Sequence, residues 1–141
     1  MEPFGIALPQ DVAGRKIFVK HFTLMQCGCK MAYGSTKLLG EQYVQKFCRR
    51  HFIVRTAWLY SYYGKNFVKT MVNAGRKLGK LTVVNDQLGN PTNAVDLGHV
   101  ILQLAVSHEY GVYHCTGEGV CSWYDFACEI IRLSGVQAQV T

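Results

Sequence analysis

The chain reads as an α/β layered fold. Three observations predict it. Short runs of β-branched and aromatic residues alternate with segments whose apolar residues recur every three or four positions. Gly, Pro and Asn stand at the joints between them. Apolar residues make up 49% of the 141 and charged residues 17%, which is a globular balance and excludes a disordered chain. That length is enough for one domain with a real core. No repeat, low-complexity tract or Pro/Ser linker divides it.

Residues 1–31 are an unassigned leader, in which "KIFVKHFTLM" predicts a short strand. The opening "MEPFGIALPQ" lacks the basic segment and long apolar stretch of a signal peptide. No apolar run approaches the ~20 residues that span a bilayer, so no membrane partner and a cytoplasmic location are expected. From Ser35 to about Arg50 the pattern is helical, with Leu38, Leu39, Val44, Phe47 and Cys48 as its apolar face. "HFIVRTAWLY" predicts a buried strand. Asn66 can cap a helix with Phe67, Val68, Met71, Val72 and Leu78 inward, and Gly79 suits its end. "LTVV" predicts a strand and "DQLGNPT" a loop. A helix carrying Val95, Val100, Ile101, Leu104 and Ala105 follows, and then the strand "GVYHCT". Ser122, with Asp125 three residues on, predicts a capping box for a last helix that buries Phe126, Ala127, Ile130, Ile131 and Leu133.

Six cysteines without an export signal read as reduced thiols. Cys27 and Cys29 lie near His21, but one intervening residue is not a zinc spacing and no second Cys/His pair follows. No metal is expected. None of the five histidines joins a Ser or Cys in a recognisable triad pattern. The net charge of +6 is unevenly spread: residues 1–85 hold 14 Lys/Arg against 3 Asp/Glu, residues 86–141 hold Arg132 against 6 acids. Such polarity suits an anionic partner, a nucleic acid or a phosphorylated small molecule, and equally suits plain solvation of helix faces. "KFCRRHFIVR" interleaves aromatic and basic residues as stacking platforms do. No nucleic-acid module fits it, and its Phe47 and Phe52 already serve the core pattern, so nucleic acid is disfavoured.

The stretch with chemistry in it is "YGSTKLLGE". Tyr33 and Lys37 are four residues apart, hence on one helix face. A free phenol titrates near ~10, and a neighbouring ammonium favours the phenolate. Such a phenol can protonate a carbonyl oxygen while a hydride attacks the carbon, and the ammonium can also hold ribose hydroxyls. The spacing alone also describes an ordinary exposed Tyr and Lys.

Four segments occur in order: "MAYGSTKLLGEQYV", "VRTAWLYSYYGKNFVKTM", "VVNDQLGNPTNAVDLGHVILQL" and "GVYHCTGEGVCSWYDFACEI". Together they closely resemble the dTDP-4-dehydrorhamnose reductases, extended members of the short-chain dehydrogenase/reductase family, over about Ala32 to Gly135. The resemblance implies the catalytic helix and following strand of that fold over 32–60 and an α/β substrate-binding lobe over 61–141. It implies reduction of the 4-keto group of dTDP-4-dehydro-L-rhamnose to dTDP-L-rhamnose with NADPH or NADH, and it allows a homodimer. By motif, Tyr33 is the general acid and Lys37 its partner and ribose ligand. Arg55-Thr56-Ala57-Trp58 matches the strand end beside the nicotinamide, with Thr56 at the cofactor and Trp58 against the sugar. Asn66, Gln87, Pro91 and Thr92 fall on the nucleotide-sugar side. Trp58 also reads as a core tryptophan, Thr92 or Asn93 as a helix cap, and Asp96 as a first-turn acid favoured by the helix dipole. The family's glycine-rich phosphate turn has no counterpart here: Gly5, Gly14 and Gly28 are the glycines before Tyr33, and their spacing is wrong. Its third catalytic group, a Thr or Ser upstream of the Tyr, is also unmatched, since only Thr23 precedes it. By itself the chain is therefore expected to bind NADPH very weakly and to be inactive. A nucleotide-sugar-binding or regulatory module is the alternative, and a basic nucleic-acid-binding domain the second.

Overall fold

The computed structural model describes residues 32–141, together with the backbone of Ile17–His21. In chain order the elements are β1 (Ile17–His21), α1 (Ala32–Phe47), β2 (Phe52–Arg55), β3 (Leu59–Tyr60), α2 (Phe67–Leu78), β4 (Lys80–Leu81), β5 (Leu88–Gly89), β6 (Thr92–Asn93), α3 (Ala94–Ala105), β7 (Gly111–Gly117), β8 (Cys121–Ser122), α4 (Trp123–Ser134) and β9 (Gln139–Val140). This is the α/β alternation that the sequence predicts. The short strand expected in "KIFVKHFTLM" is β1, and Cys27 and Cys29 lie outside the described residues.

Strand β7 is the spine. It pairs antiparallel with β1 and parallel with β2, placing Val54 opposite Tyr113 and Arg55 opposite His114. Alternation along β7 turns Tyr113 and Cys115 to one face. Both are fully buried, against Leu97, Val100 and Leu104 of α3, with Phe52 and Val54 of β2 packed alongside. The Tyr113 hydroxyl donates to the Glu109 carbonyl, so this core aromatic leaves no polar atom unpaired.

Pairs of short strands tie the remainder together: β3 with β6 and β4 with β9 in parallel, β5 with β8 antiparallel. Helix α2 packs on α4 at Gly75, where a side chain would sit 2.8 Å from Ile131 Cδ1 and 3.3 Å from Ala138 Cβ. The caps follow the sequence reading. Asn66 Oδ1 accepts from the Lys69 amide, Gly79 takes the left-handed conformation (φ 68°), and Ser122 and Asp125 form the capping box. Of the two residues read as caps for α3, Asn93 is the one, accepting from the Val95 amide.

Several expectations are corrected. The predicted strand over 51–60 stops at Arg55, because Trp58 takes a left-handed φ of 48° and leads Leu59 into a different sheet. Residues 52–55 are half-buried, not buried. "LTVV" is a strand only at Leu81, and beyond it Val83 N–H donates to the Thr141 carbonyl. Leu78, Val95, Ile101, Ala105 and Leu133 face solvent, so α3 buries Leu97 where the sequence pointed to Val95 and Ile101. The largest departure is α1, which has no buried residue: Leu39, Val44 and Phe47 are exposed, as is Cys48 just past its end, and Leu38 is half-buried. Apolar spacing identifies the face of a helix that would be covered, not what meets it.

Candidate functional site

Helix α1 opens at Ala32, so Tyr33 and Lys37 stand in its first two turns. Lys37 Nζ lies 5.5 Å from the centre of the Tyr33 ring, within cation–π range. Both side chains are open to solvent, Tyr33 at 74% exposure.

Two turns further along α1, Glu41 is gripped by Arg55 at the end of β2. The guanidinium donates from Nε to Oε1 at 2.9 Å and to Oε2 at 3.2 Å, and from Nη2 to Oε2 at 2.5 Å. Arg55 Nη1 also reaches His114 Nε2 on β7 at 3.3 Å. Burial, then the Arg55 charge, hold the His114 imidazole below its ordinary range, against a smaller opposing pull from Glu41. A neutral imidazole accepts that bond from the guanidinium.

Past Arg55, at the carboxyl end of the parallel pair β2 and β7, the chain builds a second cluster. In open α/β sheets this is the end where ligands bind. Trp58 stacks flat on Trp123, with ring centres 3.6 Å apart and planes at 13°. The ring of Phe67, the first residue of α2, is centred 4.4 Å from that of Trp123, and the Phe126 ring 5.6 Å from that of Phe67. Gly89 lies close against the Trp58 indole, where any Cβ would come within 2.6 Å of Cζ2 and 2.7 Å of Nε1. Only glycine admits this approach. The Thr92 amide donates to the Trp58 carbonyl at 3.1 Å, and buried Thr92 accepts from the Gly117 amide through Oγ1 at 3.2 Å. Pro91 lies beside Gly117, its carbonyl occupying the space a Gly117 side chain would need.

The sequence-predicted residues thus fall into two groups. Tyr33 and Lys37 meet on α1; Trp58, Pro91 and Thr92 meet beyond β2 and β7, with exposed Thr56 at their margin. Asn66 borders the second group through Phe67, but its amide is engaged in the helix cap and in a 2.7 Å bond to the Ser61 carbonyl. Gln87 is exposed on the loop. Trp58 is neither a core nor a surface residue: half-buried, it stacks on Trp123. Sequence reasoning assigned no role to Trp123 or Glu41, and took Arg55 only as part of the motif at the strand end. The signal for Trp123 was available, since it is the other of two tryptophans and opens a capped helix. Phe52, a candidate base-stacking residue, packs on Tyr110 and Tyr113. Among the described residues no group of three or more His, Cys, Asp or Glu could hold a metal, and no helix is long and apolar enough to cross a membrane.

Open donors on Tyr33 and Lys37 fit the ribose and nicotinamide end of a dinucleotide. No glycine-rich turn at a helix start, which the pyrophosphate end would need, lies among the described residues.

Comparison with known proteins places these features. The family model described as the RmlD substrate binding domain matches residues 26–141. The spore coat polysaccharide biosynthesis protein SpsK of Bacillus subtilis is 40% identical over 111 residues, covering 79% of this chain and 39% of its own length. The dTDP-4-dehydrorhamnose reductase of Escherichia coli K12 is 42% identical over 105 residues, 71% of this chain and 35% of its own length. The chain thus spans under two-fifths of the length of these relatives. Among solved structures, the Clostridium acetobutylicum dTDP-4-dehydrorhamnose reductase superposes with a TM-score of 0.80 at 50% identity, covering 83% of this chain and 41% of that one. The Bacillus anthracis reductase, solved in complex with NADP, gives 0.76 at 43% identity, covering 77% and 39%. The α/β fold is therefore that of the corresponding part of an extended short-chain reductase, and the chain belongs to the RmlD substrate-binding-domain family.

Proposed function

We propose that this chain supplies the catalytic helix and the substrate-binding lobe of a dTDP-4-dehydrorhamnose reductase, an NADPH-dependent oxidoreductase forming dTDP-L-rhamnose. The observation that carries the reading is the Tyr33–Lys37 pair on the helix immediately before the strand that leads to the Trp58 stack. When bound, NADPH (or NADH) supplies the hydride. Tyr33 gives its phenolic proton to the C4 oxygen as negative charge develops there. Lys37 stabilises the phenolate left behind and holds the nicotinamide ribose. Thr56 borders the nicotinamide. Trp58, held by its stack on Trp123 and its close contact with Gly89, offers its indole to the deoxysugar. Asn66, Gln87, Pro91 and Thr92 border the nucleotide.

The test is a chimera in which residues 32–141 replace the matching part of the C. acetobutylicum reductase, assayed for NADPH oxidation with dTDP-4-dehydro-L-rhamnose. Turnover that falls at least ~10²-fold in Tyr33→Phe supports the reading. A folded chimera without turnover refutes it. The 141-residue chain alone is expected to show neither steady NADPH consumption nor micromolar NADPH affinity by calorimetry.

A second reading, nucleotide-sugar binding without catalysis, is favoured by one observation: the Trp58–Trp123 cluster is fully assembled while Tyr33 stands open to solvent. Saturation-transfer NMR with dTDP, positive beside an inactive chimera, would select it.

A further inference from the structure

We infer that Glu41 and Arg55 form a clasp that sets the rotation of helix α1 and thereby positions Tyr33 and Lys37. The inference rests on the reading of that pair as the reducing machinery.

Tyr33, Lys37 and Glu41 are spaced four apart, so they form one stripe down the helix. The stripe carries the proton donor at one end and the clasp at the other. Helix α1 buries no residue, so apolar packing within the described chain does little to hold its azimuth. The clasp can. Arg55 engages both carboxylate oxygens through two guanidinium nitrogens, a planar geometry that fixes direction as well as distance. Its side chains are 32% and 20% exposed, so solvent screens it less than a surface pair. Arg55 is itself held, being on β2 in register with His114 of β7, whose ring nitrogen meets its Nη1 at 3.3 Å. The helix is thus tied to the spine of the sheet through one side chain.

The magnitude is sufficient. A side-chain tip about 6 Å from the helix axis moves roughly 2 Å when the helix turns by about 20°. A misplacement of ~1 Å at a reacting group costs about 10²-fold in rate. Lysine in place of Arg55 would keep the charge and lose the fork, so it should not substitute.

The experiment compares wild type, Glu41→Gln, Arg55→Lys and the swap Glu41→Arg/Arg55→Glu in two readouts. In the 141-residue chain, amide exchange is followed segment by segment. Both single variants should exchange α1 amides at least about tenfold faster, leaving those of α3 and β7 unchanged, and the swap should recover most of the protection. Unchanged α1 exchange, or equal acceleration in α3 and β7, overturns the clasp. In the chimera, Glu41→Gln should lower kcat about 10²-fold and leave KM for the dTDP-sugar within about twofold. A raised KM with intact kcat overturns the positioning role. A folded wild-type chimera without activity refutes the proposed function instead, and the exchange measurement still decides the clasp.

Discussion

Adding one methyl group at Gly89 should dismantle the Trp58 stack. In Gly89→Ala the new Cβ would lie 2.6–2.7 Å from Cζ2 and Nε1 of Trp58 and nearer still to Cε2. Carbon contacts are comfortable at about 3.5 Å or more, so the indole must retreat by roughly 1 Å. Its retreat is hindered, because Trp123 is already stacked on it with ring centres 3.6 Å apart. Overpacking of this kind costs about 1–3 kcal/mol. Losing the aromatic pair adds about 0.5–1.5 kcal/mol. The total, roughly 2–4 kcal/mol, corresponds to a fall in Tm of the order of 10 °C for a domain of this size. Trp58 and Trp123 are the chain's two tryptophans, so a coupled signal in near-ultraviolet circular dichroism reports this pair alone. That signal should collapse in Gly89→Ala. The control is Gly98→Ala, where among the described residues no atom beyond the adjoining helix backbone lies within 4 Å of the added Cβ, and where helix propensity predicts a gain of up to about 1 kcal/mol. If Gly89→Ala melts within about 1 °C of wild type with the tryptophan signal intact, the close Gly89–Trp58 contact is wrong, since overpacking of at least ~1 kcal/mol would have shown.

Three more outcomes can be checked. Ser122→Ala removes the hydroxyl that accepts from the Asp125 amide and donates to the Asp125 carboxylate; urea unfolding should report a loss of about 1–2 kcal/mol, and Ser122→Asn should retain most of it. His114 is held below its ordinary value of 6.5 by burial first and the Arg55 charge second, so the unfolded chain binds the proton more readily than the folded one. The stability from the neutral ring is then complete above about 6.5 and lost as pH falls through the lower folded value; Tm should drop across that window, and the drop should disappear in His114→Gln. Burial raises the Cys115 thiol to about 11, so iodoacetamide at neutral pH should modify exposed Cys48 well before Cys115; equal labelling by mass spectrometry would contradict the buried β7 position.

Much was legible in the sequence because it depended on neighbours along the chain. Asn66, Ser122 with Asp125, and Gly79 announce helix ends through bonds that close within a few residues, and all of them stand where they were read. Tyr33 and Lys37 meet because four residues make one helical turn. The order of motifs carried the family, and the fold followed from it.

What the sequence left open depended on contacts far along the chain. Periodicity marked Leu39, Val44 and Phe47 as a face without showing that it is exposed here. A β-rich run from His51 to Tyr60 concealed a break, because the positive φ at Trp58 and the pairing of Leu59 with β6 in another sheet appear only in the tertiary structure. Glu41 and Arg55 are fourteen residues apart, and Gly89 and Trp123 reach Trp58 from two further segments. Local chemistry along the chain determined the helices, their caps and the meeting of Tyr33 with Lys37. Which side chains would stack or clasp was decided only by the tertiary structure, since those energies depend on distances that no spacing in the sequence encodes.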